Sequence, residues 1–244
     1  MARQLPLPLV VRAEPEADPI LDASNAVVRT WLADPESWPN GRLAIYGPEG
    51  CGKSAYLALA SKRLELQRLH GPDLRGVPEG APTALDDADL VAEEAALFHL
   101  INACAAGGHL LLLAGRLPPA RWTVRLPDLA SRLRATVTAE LERPTDNLLR
   151  ALLTRHFAAR QLRVEAVMRD WLIARLPREP AAMAEAAARL DRAAMDRGRP
   201  ITRTLARAAL AGLLGPEEHS RPGASDDGSV EPSGPAPASM GSLL

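Results

Sequence analysis

With 244 residues, 47% of them hydrophobic and 3% aromatic, the chain has enough apolar surface for one medium domain and a smaller one. Its 29 basic and 30 acidic residues leave a formal charge of -1, which excludes the overall electropositive surface of a protein that wraps nucleic acid. Cys51 and Cys104 form no CxxC pair and the five histidines have no ligand spacing, so neither a disulfide framework nor a sequence-encoded metal cluster is expected.

No apolar run reaches membrane-spanning length, and prolines from Pro6 onward break any charged-then-apolar leader, so the chain is expected in the reducing cytoplasm, neither exported nor anchored. Only Lys53 and Lys62 are lysines; the other basic residues are arginines, a compositional bias that weakens the reading of any single Arg.

Residues 1–12 alternate leucine with proline and are expected to be an extended tail, followed by a proline- and acid-rich connector from Glu14 to Pro19. Ser24 reads as the N-cap of a helix carrying Val27, Val28, Trp31 and Leu32 on one face, ending before Asp34-Pro35. Arg42 to Tyr46 reads as a strand closed by Gly47, and Ser54 to about Leu69 as a helix. A Gly- and Pro-rich loop from Gly71 to Pro82 precedes a brief strand, Thr83 to Leu85, that runs into Asp86-Asp87. Val91 to Ala105 is predicted helical. His109 to Ala114 is apolar without alternation, as a central parallel strand covered on both faces should be.

Strands alternating with helices predict a doubly wound α/β layer over residues 13–143. Four helical stretches, 146–159, 165–176, 181–196 and 202–213, then form a separate helical subdomain over 144–214. From 215 to 244 the chain is Ser, Gly, Pro, Ala and acid, a tail expected to be disordered.

Gly47-Pro48-Glu49-Gly50-Cys51-Gly52-Lys53-Ser54 matches G-x-x-x-x-G-K-[ST] in full, between a predicted strand and a predicted helix. The glycines let backbone N–H groups turn onto phosphates, Lys53 reaches the β and γ oxygens, the Ser54 hydroxyl ligates Mg²⁺, and the helix N-terminus adds partial positive charge. Asp86, at a strand end, is the candidate second Mg²⁺ contact, through water, and Asp87 the candidate carboxylate for orienting the attacking water. An acidic pair is also common in solvated turns; its distance behind a P-loop favours the site. The interval between them is short enough that a second strand is expected to be reduced or lost.

Taken together, Gln4-Leu5-Pro6-Leu7-Pro8-Leu9, Ser24-Asn25, the P-loop, Asp86-Asp87 and Leu126-Pro-Asp-Leu-Ala-Ser131-Arg132-Leu133 resemble, in this order, the Hda family, DnaA-like regulators of replication initiation within the AAA+ class. The resemblance covers roughly residues 1–214. It implies an AAA+ P-loop NTPase, a parallel αβα sheet followed by a small α-helical lid, loaded with ADP or ATP and Mg²⁺, with adenine near Ile20 to Asn25 between base and lid. It further implies that Gln4, Leu5, Leu7, Pro8 and Leu9 dock on the β sliding clamp of DNA polymerase III. An extended, proline-stiffened peptide loses little entropy on binding, which suits that role.

By the same resemblance Arg132 is an arginine finger offered in trans to the nucleotide of DnaA. The protein would then be a regulatory inactivator that stimulates ATP hydrolysis by DnaA. The chain departs from the family at Gly115, where a compact polar sensor would stand, and at Ala181, where the lid arginine would align; Arg178 is the substitute candidate for reaching the phosphates. Weak or no intrinsic hydrolysis is therefore expected. No helix-turn-helix domain is expected after Leu214, so no direct sequence-specific DNA binding is expected, and the resemblance accommodates a homo-oligomer as well as a monomer. The competing reading is a free-standing AAA+ ATPase or loader acting in DNA replication.

Overall fold

One five-stranded sheet, all of its strand pairs parallel, organises the computed structural model, which describes residues 19–77, 79–197 and 201–215. The strands are β1 (Arg42–Tyr46), β2 (Gln67–His70), β3 (Thr83–Asp86), β4 (Leu111–Gly115) and β5 (Val137–Glu140), in the spatial order β2-β3-β4-β1-β5. Ala44 pairs with Leu113 on one side and Thr138 on the other. Because every strand runs the same way, β1 delivers Gly47 and β3 delivers Asp86 to the same edge of the sheet.

Side chains leave a strand to alternate faces, and the core divides accordingly. Leu43, Ile45 and Leu112 pack with Val28 of α1 (Ala26–Ala33) and Leu57 of α2 (Lys53–Arg63). Ala44, Leu111 and Leu113 pack on the opposite face with Leu100 and Ile101 of α3 (Glu94–Gly107) and Leu129 and Leu133 of α4 (Pro127–Arg134). All five residues of β4 are buried, which explains the absence of alternation in Leu-Leu-Leu-Ala-Gly. The α/β fold class expected from the sequence is thus observed.

Three local expectations need correction. Helix α2 stops at Arg63 rather than near Leu69, because Glu65 takes a left-handed backbone (φ 53°) that turns the chain. The second strand is present after all: Gln67 to His70 pair with Thr83 to Asp86 in full register. Ser24 does not cap α1; Asp22 caps a single 3-10 turn, Ala23–Asn25, accepting from the Ser24 N–H (3.0 Å), while Asn25 Oδ1 accepts from the Asp22 N–H (3.2 Å). On α1, Val28 and Leu32 face inward, whereas Val27 is 52% exposed.

The remaining helices, α5 (Asp146–Ala159), α6 (Ala166–Ile173), α7 (Pro180–Arg197) and α8 (Arg203–Ala209), bury a separate cluster that includes Leu149, Leu153, Leu172, Met183, Leu190 and Leu210. Thr145 and Thr202 N-cap α5 and α8 through their side chains. Ile20 packs against this cluster from the segment preceding α1, linking the helical layer to the sheet layer. Among the described residues no helix is long and apolar enough to cross a membrane.

Candidate functional site

The loop from Gly47 to Ser54 leaves β1 and enters α2, and its glycines are structurally obligatory. A Cβ on Gly47 would stand 2.1 Å from the Leu141 carbonyl oxygen. Gly50 and Gly52 have φ of +74° and +108°, left-handed values that turn the loop back on itself. Gly52 occupies the N-cap of α2 and its carbonyl accepts from the N–H groups of Ala55 (3.1 Å) and Tyr56 (3.2 Å), so α2 begins at Lys53 with its N-terminal dipole at the loop. Lys53 is 8% exposed, and its ammonium donates to the carbonyls of Gly47 (2.8 Å) and Pro48 (2.9 Å). Its Nζ also lies 4.0 Å from the Cys51 Sγ. Burial pushes the Cys51 thiol up, and the neighbouring ammonium only partly offsets this. Ser54 and Glu49 are exposed, and Pro48 is half-buried.

Beside the loop lies a cavity of about 520 Å³, a size suited to a small ligand, whose wall includes Ile20, Asn25, Cys51, Tyr56, Leu148 and Leu152. The wall is mostly apolar side chains from the sheet layer on one side and the helical layer on the other, as a planar heterocycle requires. Asn25 is buried and its amide is already used: Nδ2 donates to the Ile20 carbonyl (2.9 Å). It fixes the backbone that forms the wall. Burial pushes the Tyr56 hydroxyl up to about 12.

Asp86 ends β3 half-buried, with one carboxylate oxygen accepting from the Asp87 N–H at 3.1 Å. Asp87 takes a left-handed conformation (φ 48°), and its carboxylate lies 3.3 Å from Nε2 of His70, whose Nδ1 is 3.0 Å from Asp73. The hydrogen bond to Asp73 is the main cause of a raised His70 pKa, with a smaller contribution from Asp87. His70 and Asp73 were not singled out in the sequence, since the strand that carries His70 was itself not expected.

Asp89 was also missed. Its side chain, 9% exposed, accepts from Arg116 Nε (3.0 Å) and the Arg116 backbone N–H (3.2 Å), and it raises the Arg116 pKa. At Gly115 a Cβ would stand 2.9 Å from the Trp122 ring, so aromatic packing takes the space a compact polar side chain would need. Among the described residues no group of three or more His, Cys, Asp or Glu is arranged to hold a metal ion by itself. A hydroxyl and a carboxylate, Ser54 and Asp86, do stand at the same edge of the sheet, and oxygen donors of this kind suit Mg²⁺, which keeps waters and would take its other ligands from phosphate.

The turn before α7 sits on the P-loop. Glu179 packs against Gly50 and Pro180 approaches Gly52, whereas the Arg178 guanidinium is turned to Asp146 of α5 at 2.5 Å. Arg132 is exposed on α4, its guanidinium 5.4 Å from the centre of the Phe98 ring. Its carbonyl accepts from Arg42 (3.2 Å), the first residue of β1, which puts Arg132 at the sheet edge opposite to Gly47. Gln4, Leu5, Leu7, Pro8 and Leu9 lie outside the described residues.

A protein of Haemophilus influenzae, named only as uncharacterized, is 32% identical to this chain over 169 residues, covering 67% of each. No protein-family model matches the chain. Domain III of the Thermotoga maritima replication initiation protein DnaA is similar in structure, with a TM-score of 0.64 and 15% identity over 80% of this chain and 95% of that one. DnaA from Aquifex aeolicus bound to AMPPCP gives a TM-score of 0.58 at 15% identity, over 69% of this chain and 62% of that one. The Thermotoga maritima RuvB Holliday junction branch migration motor gives 0.57 at 15% identity, over 77% and 66%.

Proposed function

This chain belongs to the same family as the uncharacterized Haemophilus influenzae protein and has the AAA+ fold of the DnaA and RuvB structures, and from that premise we propose that it is an adenine-nucleotide-binding regulator of the replication initiator DnaA. The observation that carries the nucleotide half of the reading is the complete P-loop at the β1–α2 junction opening beside an apolar cavity. Lys53 and the first turn of α2 would meet the phosphates, Ser54 and Asp86 would hold Mg²⁺, and the wall from Ile20 to Asn25 would hold the base.

The regulatory half rests on Arg132. It stands at the sheet edge away from its own P-loop and is exposed, a location suited to a nucleotide held by a neighbouring molecule rather than by its own subunit. A guanidinium delivered there would stabilise charge on the phosphoryl group while water attacks the terminal phosphorus, a contribution of about 10³-fold or more in rate. In this reading Gln4 to Leu9 tether the protein to the sliding clamp. Intrinsic turnover is low, since Gly115 is covered by Trp122 and Arg178 is engaged by Asp146.

The test is single-turnover hydrolysis by ATP-loaded DnaA from the same source, with clamp on DNA, comparing the intact chain, Arg132→Ala and a version without residues 1–9. Acceleration by the intact chain and loss in both variants is the expected result; no acceleration by any of them rejects the DnaA reading. The likeness to RuvB supports a second reading, a free-standing DNA-directed ATPase. It requires substantial turnover by the chain alone, measured without DnaA in the same assay.

A further inference from the structure

The turn that joins α6 to α7 is held by two backbone hydrogen bonds: Glu179 N–H donates to the Pro177 carbonyl (2.8 Å), and the Glu179 carbonyl accepts from Ala182 N–H (3.1 Å). So fixed, the turn directs two consecutive charged side chains in different directions. Arg178 goes to Asp146, while the Glu179 side chain goes onto the phosphate loop. A Cβ at Gly50 would stand 2.5 Å from Glu179 Cγ and Cδ and 2.7 Å from Oε1, and one at Gly52 would stand 3.6 Å from Pro180 Cγ. Gly50 lies midway between Gly47 and Lys53, in the stretch whose N–H groups turn onto phosphate. The ammonium of Lys53 is meanwhile held at the start of the loop by the Gly47 and Pro48 carbonyls. The helical layer therefore brings a negative charge, and no neighbouring cation from the same turn, to the middle of the phosphate cradle.

We infer that Glu179 sets which nucleotide the site retains, its carboxylate disfavouring the terminal phosphate of a nucleoside triphosphate relative to a diphosphate. The inference rests on the nucleotide-binding reading above and adds a specificity residue to that site. A diphosphate carries less negative charge and stops one phosphate short. A triphosphate brings its most charged group to the loop against which the carboxylate rests. Because Glu179 is exposed, solvent and salt screen the repulsion, and the discrimination is on the order of five- to tenfold rather than absolute.

Equilibrium binding of ADP and of ATP, each with Mg²⁺, to the full chain and to Glu179→Gln, Glu179→Ala and Lys53→Ala tests this. The intact chain is expected to bind ADP more tightly. Both Glu179 variants are expected to tighten ATP about five- to tenfold more than ADP, and added NaCl is expected to shrink the difference between intact chain and variant. An unchanged ADP to ATP ratio overturns the inference. So does weaker ATP binding in Glu179→Gln, which would make the carboxylate a Mg²⁺ partner, and so does relief in Glu179→Ala alone, which would make the effect one of bulk. Failure of the intact chain to bind either nucleotide, or binding indifferent to Lys53→Ala, would instead overturn the nucleotide reading itself.

Discussion

The Thr145 hydroxyl donates a 2.6 Å hydrogen bond to the Asp22 carboxylate and accepts one from the Leu148 N–H at 3.2 Å, so one side chain joins the segment before α1 to the N-terminus of α5. Both of its partners' elements line the cavity beside the P-loop, through Ile20 and Leu148. Replacing Thr145 with Val removes the helix cap and one of the bonds to Asp22, and is expected to cost about 1–2 kcal/mol in urea unfolding at neutral pH.

The pH dependence of that difference has a defined sign. Burial raises the Asp22 pKa, but hydrogen bonds from Ser24 and Thr145 outweigh it and hold the carboxyl below its ordinary 3.8. A group with a depressed folded-state pKa contributes stability that is present above the unfolded value and is lost as pH falls through the folded one. The gap between the intact chain and Thr145→Val should therefore narrow in unfolding experiments as pH is lowered past about 4. A gap that widens in acid would refute this account of Asp22.

Two glycines with different surroundings separate close packing from backbone conformation. Gly47→Ala would force a Cβ to 2.1 Å from the Leu141 carbonyl oxygen, a backbone atom that cannot swing aside, whereas Gly76 (φ +68°) has nothing within 4 Å. Chemical denaturation is expected to show a loss of about 2–3 kcal/mol or more for Gly47→Ala, from overpacking. Gly76→Ala should lose only about 1 kcal/mol, the conformational term alone. Equal losses would mean that the approach of Leu141 is not what demands glycine at the start of the P-loop.

What could be read from the sequence follows from how locally each feature is encoded. The P-loop is a contiguous string whose conformation and chemistry reside in the same eight residues, and β4 announces itself because burial on both faces demands an unbroken apolar run. The four C-terminal helices carry their own apolar periodicity and fall within a few residues of the expected ranges. Strand β2 was hidden because it is an edge strand with Gln67, Arg68 and His70 exposed, so only pairing with β3 marks it. The Asp89–Arg116 and His70–Asp87 contacts bridge residues 27 and 17 positions apart, and no local spacing announces them. Glu179 on Gly50 is of the same kind, created only when the helical layer meets the loop.

His70 offers a check on the edge of the site that is independent of nucleotide. Its imidazole is flanked by Asp73 at 3.0 Å and Asp87 at 3.3 Å, and its raised pKa owes most to Asp73. In an NMR titration His70 should titrate above the ordinary 6.5, and Asp73→Asn should lower it more than Asp87→Asn does. A His70 that titrates normally in the intact chain would place its ring away from both acids.

The cavity reading can be tested without replacing any of the eight residues from Gly47 to Ser54. Ala55 lies on the first turn of α2, is exposed, and lines the cavity, so a larger side chain there projects into open space rather than into the core. Ala55→Trp is expected to leave the melting temperature within a few degrees, as surface changes usually do. The added indole would fill much of the room beside Tyr56 and Leu59 and should weaken adenine nucleotide binding by about tenfold or more, while inorganic pyrophosphate, which needs only the loop, should bind as before. The comparison separates the two halves of the site. Equal weakening of nucleotide and pyrophosphate would mean that the bulk added at Ala55 disturbs the P-loop, and no weakening of either would mean that the base is held somewhere other than between α2 and α5.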